Sequence, residues 1–264
     1  MTTAGLAAGV APGEGVHPGS RARRVVAVIQ ARMGSTRLPG KVLLELDGVP
    51  VLEWVVAAAR AAQGIDEVVV ATSTQPADDP LAEFGSSGGV RVVRGSEEDV
   101  LGRFLLAAEA TDADAVVRLT ADCPLLDPDV ISQAVAVWRL DPELDYVSTV
   151  QHRSLPRGLD VEVAAVSALR RAASRPEPHH HAHVTSALYE DGSGFTLASL
   201  SFTPRSERFR VTLDTPDDAR LLAALAPLLP SRPPRWRDVA GLLASRPDLA
   251  ALNAHVEQKP LQEG

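Results

Sequence analysis

Apolar positions along this 264-residue chain follow two alternating rhythms in its first half. Short β-branched runs, VVAVIQ (25–30), DEVVVAT (66–72), VRVVRG (90–95) and AVVRLT (115–120), predict strands buried on both faces. Between them, apolar residues recur every three to four positions. PVLEWVVAAARAA (50–62) sets Leu52, Val55, Val56 and Ala59 on one helical face, and EEDVLGRFLLAAEA (97–110) keeps the same period. A weak helix is expected near 78–85. A further one spans 128–139, with Asp127 and Pro128 as its N-cap and first residue. This alternation predicts an α/β fold whose mostly parallel sheet is covered on both faces, an α/β/α sandwich.

The second half is less regular. DYVST (145–149), LDVEVAA (159–165), residues 195–202 and RFRVTLD (208–214) predict strands. VSALRRAAS (166–174), residues 181–190 and PDDARLLAALAPLL (216–229) predict helices. The expected organisation is a disordered tail over 1–24, one domain over 25–230 and a helical extension over 231–264. Within the domain, a β-rich insertion or arm is expected over about 150–205.

Composition narrows the class. Hydrophobic residues at 45% and charged residues at 23% suit a soluble globular protein. No stretch approaches the ~20 apolar residues of a membrane span, and the first residues lack the charged-then-apolar order of a secretory signal. The single cysteine, Cys123, excludes an internal disulfide framework, so a cytoplasmic protein is expected. A net charge of -8 disfavours nucleic acid as a partner. That sign makes a local basic cluster more informative, all the more since Lys41 and Lys259 are the chain's only lysines.

Such a cluster exists in A-R-M-G-S-T-R-L-P-G-K (31–41), directly after the first predicted strand. Arg32, Arg37 and Lys41 supply cations, Ser35 and Thr36 hydroxyls, and Gly34 and Gly40 a backbone that a ligand can approach closely. The loop suits a polyphosphate, yet it is neither a Walker A loop nor a G-x-G-x-x-G fingerprint. Two more polar loops, 120–127 and 214–217, also follow predicted strands. Open α/β sheets bind ligands beyond the carboxyl ends of their strands, so the three loops are expected to converge.

Asp122, in T-A-D-C-P, suits Mg²⁺ or an Asx turn. Asp214, in L-D-T-P-D-D, reads locally as an N-cap ahead of Pro216. Asp160 and Glu162 alternate onto one strand face, either as a hydroxyl-binding pair or as a solvent-facing surface. His179, His180, His181 and His183 form no expected metal site, because consecutive residues cannot all reach one ion from a helix. Cys123, Trp54 and Phe104 read as core.

QARMGSTRLPGK resembles the phosphate-binding signature of the sugar-acid cytidylyltransferases, above all their spore-coat polysaccharide branch. DEVVVATSTQPADD, VRGSEEDVLGRF, VVRLTADCPLLDPDVI, PRGLDVEV, HVTSALYE and RVTLDTPDDARLL follow that branch in order, from about Val25 to Leu229. Two positions depart from it: Gly102 and Ala182 stand where the branch carries acids.

The resemblance implies a nucleotide-diphospho-sugar-transferase-like (GT-A-like) fold with a dimerisation arm. It implies nucleotidyl transfer, CMP from CTP before any other nucleoside triphosphate, to a small anionic acceptor, a sugar acid or a related phosphorylated or phosphonate metabolite, with Mg²⁺ as cofactor and pyrophosphate as product. Lys41 and Arg32 would be catalytic, and Ala31, Arg32, Gly34, Ser35, Arg37, Lys41, Ala71, Thr72, Gly95 and Ser96 would bind the nucleotide. Asp122 and Asp214 would hold the metal, while Arg157, Asp160, Glu162, His183 and Arg210 would face the acceptor. A homodimer is implied as well. The rival readings are a glycosyltransferase using a nucleotide-sugar donor on the same fold, and a nucleotide-binding regulator.

Overall fold

The computed structural model describes residues 23–258 apart from 176 and 191, so the expectation for the N-terminal tail falls almost wholly outside the described residues. Nine strands occur among them: β1 Val25–Gln30, β2 Glu45–Leu46, β3 Val49–Pro50, β4 Glu67–Ser73, β5 Arg91–Gly95, β6 Ala115–Thr120, β7 Tyr146–Ser148, β8 Glu162–Ala165 and β9 Leu197–Ser199. The helices are α1 Val51–Ala61, α2 Asp79–Gly88, α3 Val100–Ala110, α4 Pro128–Leu140, α5 Val166–Ala172, α6 Pro178–Ala182, α7 Ser186–Tyr189, α8 Pro216–Leu225, α9 Trp236–Ser245 and α10 Pro247–Ala250.

Seven strands form one sheet in the order β5-β4-β1-β6-β8-β7-β9, with β2 and β3 a separate small hairpin. All neighbours are parallel except β8, which runs antiparallel to both β6 and β7. β1 lies at the centre because Val25 through Ile29 are apolar on both sides and wholly buried. The chain leaves β1 toward β4 and β5, then α3 carries it back across to β6 on the other side. The strand order therefore reverses between β1 and β6, and a crevice opens beyond their carboxyl ends. The loop 31–41 and the segment 121–127 begin at that reversal. Trp54, Phe104 and Cys123 are buried, as expected of core residues.

The second half differs from its periodicity in three places. Residues 208–214 form no strand, despite alternating Phe209, Val211 and Leu213. Their amides are spent locally, Val211 donating to the Arg157 carbonyl (2.7 Å) and Leu213 to that of Asp122 (2.8 Å). The single helix expected over 181–190 is two short ones, interrupted at Val184, a β-branched residue at φ 49°. Residues 150–205 are not a β-rich unit of their own. They add β8 and β9 to the main sheet and otherwise form α5, α6 and α7. The extension is helical, with Trp236, Val239, Leu243 and Leu249 buried.

Candidate active site

Gly40, at φ 71°, turns the basic loop into a single 3-10 turn that aims Lys41 back over the sheet edge. Lys41 Nζ donates to Asp122 Oδ2 (2.6 Å) and to Asp214 Oδ1 (2.7 Å). The three loops thus meet at one ammonium group; the switch-point rule places the first two, which follow β1 and β6, while the third follows no strand. Burial alone would lower the Lys41 pKa, but Asp122 and Asp214 outweigh it and hold the pKa above the ordinary lysine value. Burial works against ionised Asp214 too. Lys41, Arg210 and Arg37 prevail, and its pKa lies below the usual carboxylate value.

Local chemistry explains why Asp214 is available. The N-cap of α8 is Thr215, whose hydroxyl accepts from the Asp218 amide (3.2 Å) in a capping box. Asp214 lies one residue outside the cap, so its reading as the cap is corrected and its carboxylate faces the crevice. Asp122 makes no turn or cap with its side chain; Lys41 and Cys123 are its partners. The two hard carboxylates suit Mg²⁺, which takes one or two such ligands and fills its remaining positions with phosphate and water oxygens.

The rest of the loop is held from beneath. Ala31 donates to the Ala71 carbonyl (3.0 Å) and Met33 to Asp78 Oδ1 (2.7 Å). Ser35 Oγ accepts from Leu38 (3.3 Å), while Gly34 and Arg32 are exposed. Arg37 reaches Asp214 Oδ2 at 3.3 Å. Ala71 and Thr72 are buried residues of β4, and Thr72 pairs with Arg94 just before the β5 end at Gly95. Ser96 follows, exposed, with its hydroxyl accepting from the Asp99 amide (3.2 Å).

The predicted acceptor residues separate into two kinds. Arg157 is half-buried beside the loop carrying Arg210, and Gly158, at φ 102°, lets the two backbones touch. A Cβ there would stand 2.6 Å from the Thr212 nitrogen. Burial, with neighbouring Arg153 and Arg210, lowers the Arg157 pKa against the opposing pull of Asp160. His183 is half-buried on the segment between α6 and α7.

The other three are committed to the protein. Asp160 precedes β8 and forms a two-pronged pair with Arg153 (2.5 and 3.0 Å). Glu162 is neither solvent-facing nor open to a ligand: it is 4% exposed and accepts from Arg118, Tyr146 and Thr185. Arg210 is 9% exposed and binds Asp214 (2.6 Å), Asp218 (3.0 and 3.2 Å) and Gln258 (2.9 Å). It orients Asp214, and four of its five N–H donors are held by these groups.

In the histidine run, His179, His180 and Glu190 place potential ligand atoms within 4.8 Å of one another, an approach that helix spacing did not predict. Arg175 Nη1 lies 3.4 Å from Glu190 Oε2, so a cation already stands at that carboxylate.

Sequence reasoning missed Asp78, Arg103 and Asp218. Asp78 is 3% exposed and joins the basic loop to the end of β4, accepting from Met33, the Ser73 amide (3.2 Å) and the Ser73 hydroxyl (2.5 Å). Arg103, 3% exposed, donates to the Ser96 and Glu97 carbonyls and fixes the turn after β5. The T-x-x-D spacing of Thr215 and Asp218 was the one signal in the sequence for any of these.

A basic loop and an aspartate pair meet at the switch point of a mostly parallel sheet, an arrangement that suits nucleotidyl transfer. A family model described as cytidylyltransferase matches residues 26–189. The chain belongs to the cytidylyltransferase family. It is 33% identical over 243 residues to a protein of Methanocaldococcus jannaschii, covering 91% of this chain and 98% of that one. It is 32% identical over 235 residues to the spore coat polysaccharide biosynthesis protein SpsF of Bacillus subtilis, covering 86% and 96%. The fold is similar to that of a cytidylyltransferase from Leptospira borgpetersenii, with a TM-score of 0.83 at 27% identity over 90% of this chain and all of that one.

Proposed function

We propose that this cytidylyltransferase transfers CMP from CTP to a sugar acid in polysaccharide biosynthesis, with Mg²⁺ as its cofactor. The observation that carries this reading is the single Lys41 ammonium bridging Asp122 and Asp214 at the mouth of the basic loop. Arg32 is exposed at that mouth, with no hydrogen-bond or ion-pair partner among the described residues, so it is available to a phosphate.

In the reaction an acceptor hydroxyl oxygen attacks the α-phosphorus of CTP. A new P–O bond forms, the bond to the bridging oxygen breaks, and pyrophosphate leaves with that electron pair while the hydroxyl proton passes to solvent. Arg32, Arg37 and the free amides of 32–40 hold the triphosphate. Lys41 offsets the negative charge that grows between the α- and β-phosphates, an electrostatic contribution realised mainly in the transition state. Asp122 and Asp214 would hold Mg²⁺, which supplies charge neutralisation and orientation of the phosphates. Arg157 offers its guanidinium to the acceptor's carboxylate. No side-chain nucleophile enters.

The test is pyrophosphate release with CTP, UTP, GTP and ATP against a panel of sugar acids, with and without Mg²⁺, for the native chain and Asp122→Ala. Release is expected with CTP and a subset of acids, only with Mg²⁺, and not from the variant. Equal activity in Asp122→Ala would overturn the metal assignment. Release of a nucleoside diphosphate from a nucleotide sugar, with no pyrophosphate from any triphosphate, would overturn the reaction.

A further inference from the structure

The residues that hold the aspartate pair in place extend well beyond the three loops. Asp218 is wholly buried, and a buried carboxylate is tolerated only when its oxygens are answered. Oδ2 accepts from the amides of Asp214 and Thr215 (3.0 Å each) and from Arg210 Nη2 (3.2 Å). Oδ1 accepts from Arg210 Nε (3.0 Å) and from Asn253 Nδ2 (2.8 Å). Asn253 Nδ2 also donates to the Arg210 carbonyl (3.1 Å). Both partners of this amide are acceptors, so its orientation is fixed. Asn253 is 3% exposed and follows α10, some forty residues after Asp214 in the chain. Gln258, further along the same segment, accepts from Arg210 Nη1.

The same extension grips the other aspartate loop. Asp127, 2% exposed, caps α4 through Oδ1 and accepts the Trp236 amide at the start of α9 through Oδ2 (2.8 Å). One end of the extension therefore holds the segment that carries Asp122, and the other end holds the one that carries Asp214. The two segments also touch directly: the Asp122 carbonyl accepts from the Leu213 amide (2.8 Å) and the Thr212 hydroxyl (3.3 Å), and the Cys123 thiol donates to the Thr212 hydroxyl (3.8 Å).

We propose that the C-terminal extension is an outer clamp that sets the geometry of Asp122 against Asp214, with Asn253 as its positioning residue. The inference rests on the reading of those two aspartates as metal ligands. Groups that orient a ligand from behind tune metal affinity without touching the ion. Loss of the Asn253 amide frees the 210–218 turn to shift and leaves Asp218 Oδ1 and the Arg210 carbonyl each short of a donor.

The experiment measures Mn²⁺ affinity by electron paramagnetic resonance with CTP present, beside thermal unfolding, for the full chain and three variants. Asn253→Leu keeps the volume and removes the donor; its Mn²⁺ affinity is expected to fall about tenfold. Leu169→Ala, which hollows buried α5 outside the extension, is expected to lower the Tm at least as much while moving Mn²⁺ affinity by less than about twofold. Asn253→Leu binding within about twofold of the native chain would overturn the clamp, as would equal weakening in Leu169→Ala. Asp214→Asn separates the two readings. If it loses Mn²⁺ while Asn253→Leu keeps it, only the clamp falls; if it binds as the native chain does, the metal assignment falls and takes the clamp with it.

Discussion

Two carboxylate pairs flank the crevice, and they are answered in opposite ways. Asp160 and Glu162 each have an arginine of their own, Arg153 and Arg118. Asp122 and Asp214 share one lysine. A guanidinium is a rigid fork that locks a carboxylate in one plane, whereas an ammonium is a compact charge on a flexible stem. On the function proposed above, the first pair stays as it is, and the second would exchange the shared lysine for a metal ion. Exposure does not separate them: the Asp160 side chain is 28% exposed and that of Asp122 24%. The shared lysine does: Asp160 and Glu162 lack it, Asp214 meets it beside Arg37 and Arg210, and Asp122 has it as its ion-pair partner.

The strongest way to break this contrast is to remove the shared cation. Lys41→Met is expected to lower kcat by about 10²–10³-fold, the loss typical of one preorganised charge at a developing oxyanion. Asp214 keeps Arg37 and Arg210 in that variant, so the fold is expected to survive, with Asp122 the carboxylate left without an ion-pair partner. Steady-state kinetics beside circular dichroism would check it. A folded Lys41→Met within about tenfold of native kcat would make the lysine a structural counter-ion like the two arginines.

The opposite expectation holds at Glu162. Glu162→Leu leaves half-buried Arg118 without its carboxylate and strips Tyr146 and Thr185 of an acceptor, and the loss is expected to destabilise by about 3 kcal/mol, the low end for breaking a buried pair. Urea unfolding reads the effect. A change below about 1 kcal/mol would mean that the network is slack and that Glu162 is held for a ligand instead.

How much of this was legible in the sequence follows the same division. The half from β1 to α4 was readable because each strand and helix carries its own period, and because the switch-point rule turns strand order into loop convergence. That the basic loop would meet Asp122 needed only those two steps; Asp214 was expected there through a strand over 208–214 that does not form. Residues 208–214 misled because alternation of Phe209, Val211 and Leu213 reports burial on one side, not a neighbouring strand. Their hydrogen bonds go to Arg157 and Asp122, partners that the sequence does not name. Arg210 was misassigned for a related reason. An arginine two residues before a metal-type motif looks available until the fold supplies Asp218 and Gln258. Asn253 carried no signal at all, since its role exists only once the extension has returned to the site.

A fifth carboxylate sharpens the comparison, with the smallest expected effect. Asp78 is buried like Glu162, but neutral donors answer it, the Met33 and Ser73 amides and the Ser73 hydroxyl. Burial alone would raise its pKa; the Met33 amide, the Ser73 hydroxyl and the other bonds prevail, and the pKa lies below the usual carboxylate value. A depressed folded pKa adds stability that is fully present above the unfolded pKa of about 3.9 and is lost as pH falls through the folded value. Asp78→Asn replaces charge-assisted bonds with neutral ones and is expected to cost about 1–2 kcal/mol near neutral pH. Urea unfolding of both proteins from pH 7 to pH 3 should show that difference level down to about pH 5 and shrinking below about pH 4. Because Met33 lies inside the basic loop, the variant should also raise the KM for CTP more than it lowers kcat. A stability difference that stays level through the acid range would show that the charge on Asp78 does not hold the loop, and would leave shape as the whole of its contribution.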